Sequence, residues 1–156
     1  MWLPDQVFKT VIQSTPLISI DLVVRNEKNE VLLGKRLNAP AKDYWFVPGG
    51  RIQKDESLDK AFKRLLLEEL DISLSYSRED ANFIGVFEHF YNENFYDSSS
   101  STHYVVLAFV LKINSLNISL VNNCQHRDYL WVSKEQSILL DNVHDYSRVY
   151  LDKVFL

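Results

Sequence analysis

Thiols, glycines, prolines and long apolar runs are all scarce in this chain, and each scarcity excludes something. Among 156 residues only Cys124 is a cysteine, so no disulfide can form within the chain and a reducing cytoplasm is the expectation. Four glycines (Gly34, Gly49, Gly50, Gly85) and four prolines leave no flexible linker, and no internal repeat is present. A single domain over residues 1–156 is expected, since chains of this length rarely divide. The longest apolar run, residues 104–111, falls far short of the roughly 20 residues that span a bilayer. Asp5 and Lys9 interrupt residues 1–12 before a signal-peptide core can form, so no membrane partner is expected. An excess of positive charge is missing too. With 17 basic and 21 acidic side chains the net charge is −4, which argues against a nucleic acid polymer as partner.

Hydrophobic residues make up 46% of the chain and aromatics 13%, which excludes disorder. The charge is uneven: residues 35–64 hold eight basic and four acidic side chains, a local +4 against −8 for the remainder. Such a basic segment suits a small anionic ligand.

Pro4 followed by Val7, Phe8, Val11 and Ile12 predicts a short amphipathic N-terminal helix. Leu17–Arg25 alternates, with Ile18, Ile20, Leu22 and Val24 on one face and Ser19, Asp21 and Val23 on the other. A polar turn leads into a second strand, Val31–Arg36. Further strands are predicted at residues 44–47, 83–91, 102–113 and 129–132, and helices at Leu58–Leu70 and 147–155. The serine-rich residues 92–102 read as a mobile loop. The fold class expected is α/β (α+β): a mixed sheet between helices.

Leu58–Leu70 carries the first chemical signal. On a helical wheel, Glu69 falls about 20° from Phe62, inside the stripe formed by Leu58, Phe62, Leu65 and Leu66. A carboxylate there is either a metal ligand or escapes to water at the helix end. Glu68 lies off the stripe, four residues after Arg64, and reads as a surface ion pair. Gly49-Gly50 ahead of this helix lets backbone approach a ligand, or simply makes a tight turn. Asp21 reads equally well as a site residue or as a solvent-facing strand position, and His126, taken alone, as a solvated loop histidine.

Gly50, Glu56, Arg64, Leu66, Glu68, Glu69 and Ile72 stand at the spacings of the Nudix box, over 23 positions. Leu65 replaces the glutamate that follows the arginine, and Asp71 replaces the late glycine. Together with STPLISIDLVV, LLGKR, YWFVPGGRIQKDE, HFYNENF, THYVVL and DNVHDYSR, the chain resembles the GDP-mannose mannosyl hydrolase branch of the Nudix family. That branch is marked by the same missing glutamate.

The resemblance implies a Nudix fold, a cytoplasmic homodimer, and hydrolysis of GDP-mannose, or GDP-glucose, to GDP and free sugar. Water would attack the anomeric carbon with inversion. One magnesium ion would be held by the Gly49 carbonyl, Glu69 and Gln125, with His126 as general base. Asp21 and His89 would contact the sugar, while Arg36, Arg51 and Tyr104 would hold the diphosphate and assist its departure. Two alternatives are a conventional Nudix pyrophosphohydrolase attacking phosphorus and a non-catalytic nucleotide-sugar sensor. No role is assigned to His103, His144 or the DNVHDYSR segment.

Overall fold

Apolar side chains on both faces make Leu17–Arg25 (β1) the central strand of a mixed seven-stranded sheet in a computed structural model of the chain. The structure describes residues 2–72, 75–118, 120 and 126–156, with residues 126 and 127 described by backbone alone. β1 pairs in parallel with β6 (Thr102–Lys112) over its whole length, and β6 pairs antiparallel with the edge strand β5 (Asn82–Tyr91). On the other flank, β2 (Val31–Arg36) pairs with β3 (Trp45–Phe46) and β7 (His126–Val132). The short strand β4 (Gly49–Arg51) lies antiparallel to the start of β1.

Helices cover both faces, as the alternation on β1 requires. Helix α2 (Leu58–Leu70) packs Phe62, Leu65, Leu66 and Leu70 onto Ile20, Leu22, Val24 and Leu111. Helix α4 (Asp145–Val154) packs Tyr150 and Leu151 onto Val23, Leu33 and Val110 on the opposite face. Burying a side chain as large as Phe62 contributes about 2–3 kcal/mol, so these faces hold the sandwich together. Ser57 caps α2, its hydroxyl accepting from the Lys60 N–H. Asp71 ends it with φ at 50°, in the left-handed region that the family's usual glycine adopts without strain. Among the described residues no helix is long and apolar enough to cross a membrane.

The structure departs from the sequence expectations in four places. Gly49–Arg51 is a strand rather than a turn, because it pairs with Ser19, Ile20 and Asp21. β7 begins at His126 rather than at residue 129, extended by its pairing to β2, so His126 is a strand residue. A helix, α3 (Lys134–Leu139), follows β7; its signal was the capping box of Ser133 and Gln136. The segment after β5 is knit rather than loose. Buried Asn94 accepts from the Tyr96 and Asp97 N–H groups and donates to Ser100. Asp97 pairs with Lys9, and Tyr96 donates to Asp5, which ties this segment to helix α1 (Asp5–Ser14).

Candidate active site

A cavity of about 390 Å³ opens between α1, the edge of α2, the starts of β1 and β4, and the ends of β2 and β5. Its walls differ in character. Leu3, Phe8, Phe95 and Tyr96 line one part with apolar surface, whereas Asp21, Arg36, Arg51, His89, Tyr91 and Tyr104 line a polar part.

Arg64 organises the rim. Its guanidinium donates in bidentate fashion to Glu56 at 2.7 and 2.8 Å, to Glu68 at 2.9 Å and to the Arg51 carbonyl at 2.9 Å. The Glu56 carboxyl is held below its ordinary range by that pairing, despite partial desolvation, so the Glu56–Arg64 pair is ionised. The expected Arg64–Glu68 ion pair is therefore present, and Glu68 also borders the cavity.

The residues expected to hold a metal are placed in part. Helix α2 runs through Leu70 and Glu69 is 4% exposed, so this carboxylate does not escape to water. Gly49 stands where a Cβ would meet the Ile20 carbonyl oxygen and lie 2.7 Å from Asp21 Oδ1, so the backbone must be bare. Gln125 lies outside the described residues. A carbonyl, a carboxylate and a side-chain amide would make an all-oxygen set that fits a hard divalent cation. Among the described residues no three His, Cys, Asp or Glu side chains cluster as a metal site, so carbonyl and amide donors would have to complete it.

The missing box glutamate has a structural counterpart. A Cβ on Gly50 would sit 2.6 Å from Leu65 Cδ2, so the leucine packs directly on the glycine and borders the cavity with methyl groups. Where the box usually has a carboxylate, this chain has a wall.

Arg36, at the end of β2, holds its guanidinium 5.4 Å from the centre of the Phe46 ring, and its Nε is buried with no hydrogen-bond partner among the described residues. Its charge bears on Asp21, Tyr91 and Tyr104 together. Arg51 lies 4.4 Å from the centre of the Phe8 ring, a cation–π contact that joins β4 to α1. Burial raises the Tyr104 hydroxyl above its ordinary range, against the pull of both arginines, so it remains a donor at neutral pH. The backbone of His126 pairs with Arg36 across β2 and β7, which brings the expected base beside this arginine in the sheet.

Asp21 and His89 meet through a residue that sequence reasoning missed. The Tyr150 hydroxyl donates to Asp21 Oδ2 at 2.8 Å and lies 3.3 Å from His89 Nε2. Burial pushes the Asp21 carboxyl up to about 7, even with Tyr150 and Arg36 pulling it down. Burial, with the nearby His144, pushes His89 down to about 4. These shifts act on stability with opposite signs. A raised carboxyl costs stability as pH climbs from 3.8 through about 7, whereas a lowered histidine costs stability as pH falls from 6.5 through about 4. In the ligand-free protein the two slopes oppose each other over one window. Asp21→Asn should leave the histidine slope unopposed. Its urea midpoint is expected to fall between pH 7.5 and pH 4.5 by an amount worth on the order of 3 kcal/mol, with a much shallower change in the unsubstituted protein. Equal slopes for the two proteins would refute this balance.

The DNVHDYSR segment now has a structural role. His144 caps α4, its Nδ1 accepting from the Tyr146 N–H, and stacks on Phe46 at 4.5 Å. The Ser147 hydroxyl accepts from the buried Val47 N–H, and Trp45 donates to the Asn142 carbonyl. Tyr146 stacks on His89 at 4.1 Å. The segment thus fastens α4 against the cavity floor. His103 stacks on Phe90 at 4.3 Å and is not among the cavity residues.

A family model described as NUDIX domain matches residues 15–154. Among curated proteins, the low-salt glycan biosynthesis protein Agl8 of Haloferax volcanii is 35% identical over 150 residues, covering 96% of this chain and 89% of that one. The ADPR responsive transcriptional repressor NtrR of Acinetobacter baylyi is 28% identical over 85% of the chain, which spans half of the repressor's length. Among solved structures, a MutT NUDIX hydrolase from Burkholderia pseudomallei superposes with a TM-score of 0.71 at 23% identity, covering 90% of this chain and 99% of that one. The NUDIX domain of Shewanella oneidensis NrtR complexed with ADP ribose gives 0.66 at 18% identity, covering 97% and 96%. At these identities the structural likenesses establish the fold alone.

Proposed function

The chain belongs to the NUDIX domain family, and from that premise we propose that it hydrolyses a GDP-linked hexose, GDP-mannose or GDP-glucose, at the anomeric carbon, releasing GDP and the inverted free sugar. Leu65 carries this reading. Packed on Gly50, it removes a carboxylate from the place where a metal cluster for attack at phosphorus would gain one. The polar floor made by Asp21 and His89 supplies hydrogen-bonding groups suited to hexose hydroxyls. The resemblance to a protein named for glycan biosynthesis favours a nucleotide sugar over other nucleotide derivatives.

In this reading Arg36 and Arg51 bind the diphosphate, where guanidinium forks match phosphate oxygens. Tyr104 donates a hydrogen bond to the same group. Asp21 and His89 orient the hexose, and His126 takes a proton from the attacking water. Magnesium held by the Gly49 carbonyl, Glu69 and Gln125 would supply positive charge against the departing GDP. An inverting glycosidase usually pairs a carboxylate base with a carboxylic acid; here an imidazole base and a good leaving group would take over those duties.

The retained Glu56–Arg64–Glu68 network, with Glu68 on the cavity rim, favours a second reading: conventional attack at phosphorus. Products decide between them. With GDP-mannose and magnesium in heavy-oxygen water, the expected result is unlabelled GDP and hexose carrying the label. Label in GDP, or GMP with sugar phosphate, would establish attack at phosphorus instead. Binding without any product would point to a sensor.

A further inference from the structure

Helix α4 places two tyrosines one turn apart beneath the polar end of the cavity. The Tyr146 ring lies parallel to the His89 ring at 4.1 Å and 7°, and its hydroxyl is clamped to the backbone of Phe90, accepting from the N–H at 2.7 Å and donating to the carbonyl at 2.8 Å. That fixes the plane of His89. Tyr150, wholly buried, stands between His89 and Asp21 with one hydroxyl proton to give. When Asp21 is ionised it gives that proton to Asp21 Oδ2, so toward His89 Nε2 the phenol oxygen can only accept. Nε2 must then carry the ring proton, which leaves Nδ1 as the ring's lone pair.

We propose that Tyr150 is a positioning residue that sets the hydrogen-bond polarity of the sugar end of the cavity, so that Asp21 and His89 are both offered to substrate hydroxyls as acceptors. Hexose hydroxyls are donors of the matching sense. A water-like site in which His89 could adopt either tautomer would match the sugar only part of the time. Only the assignment to a sugar rests on the nucleotide-sugar reading; the polarity itself follows from the tyrosine's single proton and an ionised Asp21. Phe87 meets the Tyr150 ring edge-on at 4.9 Å, a contact that phenylalanine would keep. Tyr150→Phe therefore removes the hydroxyl while retaining the packing.

Two measurements test this. The first is the tautomer of His89 in the ligand-free protein by nitrogen-15 NMR at about pH 8.5, where Asp21 is ionised, with its signals identified by their absence in His89→Gln. The Nε2–H form is expected, moving to a mixture in Tyr150→Phe. The second compares the binding of GDP and GDP-mannose in a His126→Gln background, which suppresses turnover. Tyr150→Phe is expected to leave GDP affinity within twofold and to weaken GDP-mannose about tenfold or more, the usual consequence of leaving a buried acceptor unpaired. An Nδ1–H tautomer in the intact protein would overturn the proposal, whether or not the variant folds. Equal weakening of GDP and GDP-mannose would also overturn it by showing a merely structural role, as would no weakening. If GDP-mannose binds no tighter than GDP when Tyr150 is intact, the substrate reading falls and the sugar assignment with it. The tautomer would still decide the polarity.

Discussion

Replacing His126 with glutamine is expected to lower turnover of GDP-mannose by about 10²–10⁴-fold, the usual worth of a positioned general base. Glutamine approximates the size and hydrogen bonding of imidazole but cannot take up a proton near neutral pH. The backbone of His126 pairs with Arg36 at the irregular end of the β2–β7 ladder, so the proposed base and the arginine proposed to bind the diphosphate share one sheet position. Loss of the base should therefore spare ground-state binding: GDP affinity is expected to stay within threefold. The pH profile gives a further mark. Activity should rise with pH as the base loses its proton in the unsubstituted enzyme, and this limb should vanish in the variant. A loss of turnover under tenfold would remove His126 from the role of base.

The parts of the molecule that could be read in sequence are those whose cause is local. β1, β2 and α2 followed from periodicity, and Glu69 was placed in the buried face of α2 by wheel geometry alone. β4 could not be read, because Gly49–Arg51 is too short to show alternation and is a strand only through its pairing with β1. The start of β7 was hidden for the same reason. The polar floor is less legible still: Tyr150 reaches Asp21 across 129 positions and His89 across 61, and nothing in the sequence of α4 marks its hydroxyl as different from any other. Asp21 was ambiguous because its strand neighbours are apolar on both sides. Only the structure, by burying the strand on both faces, makes the aspartate a cavity residue. Gln125 falls outside the described residues.

Arg36 should be the other residue whose loss is severe. Its guanidinium is fixed over Phe46, its Nε is buried without a partner among the described residues, and Asp21, Tyr91 and Tyr104 all feel its charge. A buried donor left over in this way is available to an arriving phosphate oxygen, and charge held ready in a dry site is worth far more than charge at a surface. Arg36→Met is expected to lower kcat/KM for GDP-mannose by about 10²–10³-fold, as when a preorganised donor to the departing group is removed. Arg36→Lys should recover part of this, because it restores the charge but not the planar fork. The free protein should register the same loss through Asp21. Arg36 pulls the Asp21 carboxyl down, so without it a group already raised to about 7 must rise further. A raised carboxyl costs stability as pH climbs through its folded value. The unsubstituted protein should therefore lose this contribution by about pH 7, whereas Arg36→Met should go on losing stability above it, visible in urea midpoints between pH 7 and pH 9. Unchanged kinetics would show that the diphosphate does not reach Arg36. Parallel stability curves would show that the Arg36 charge does not govern Asp21.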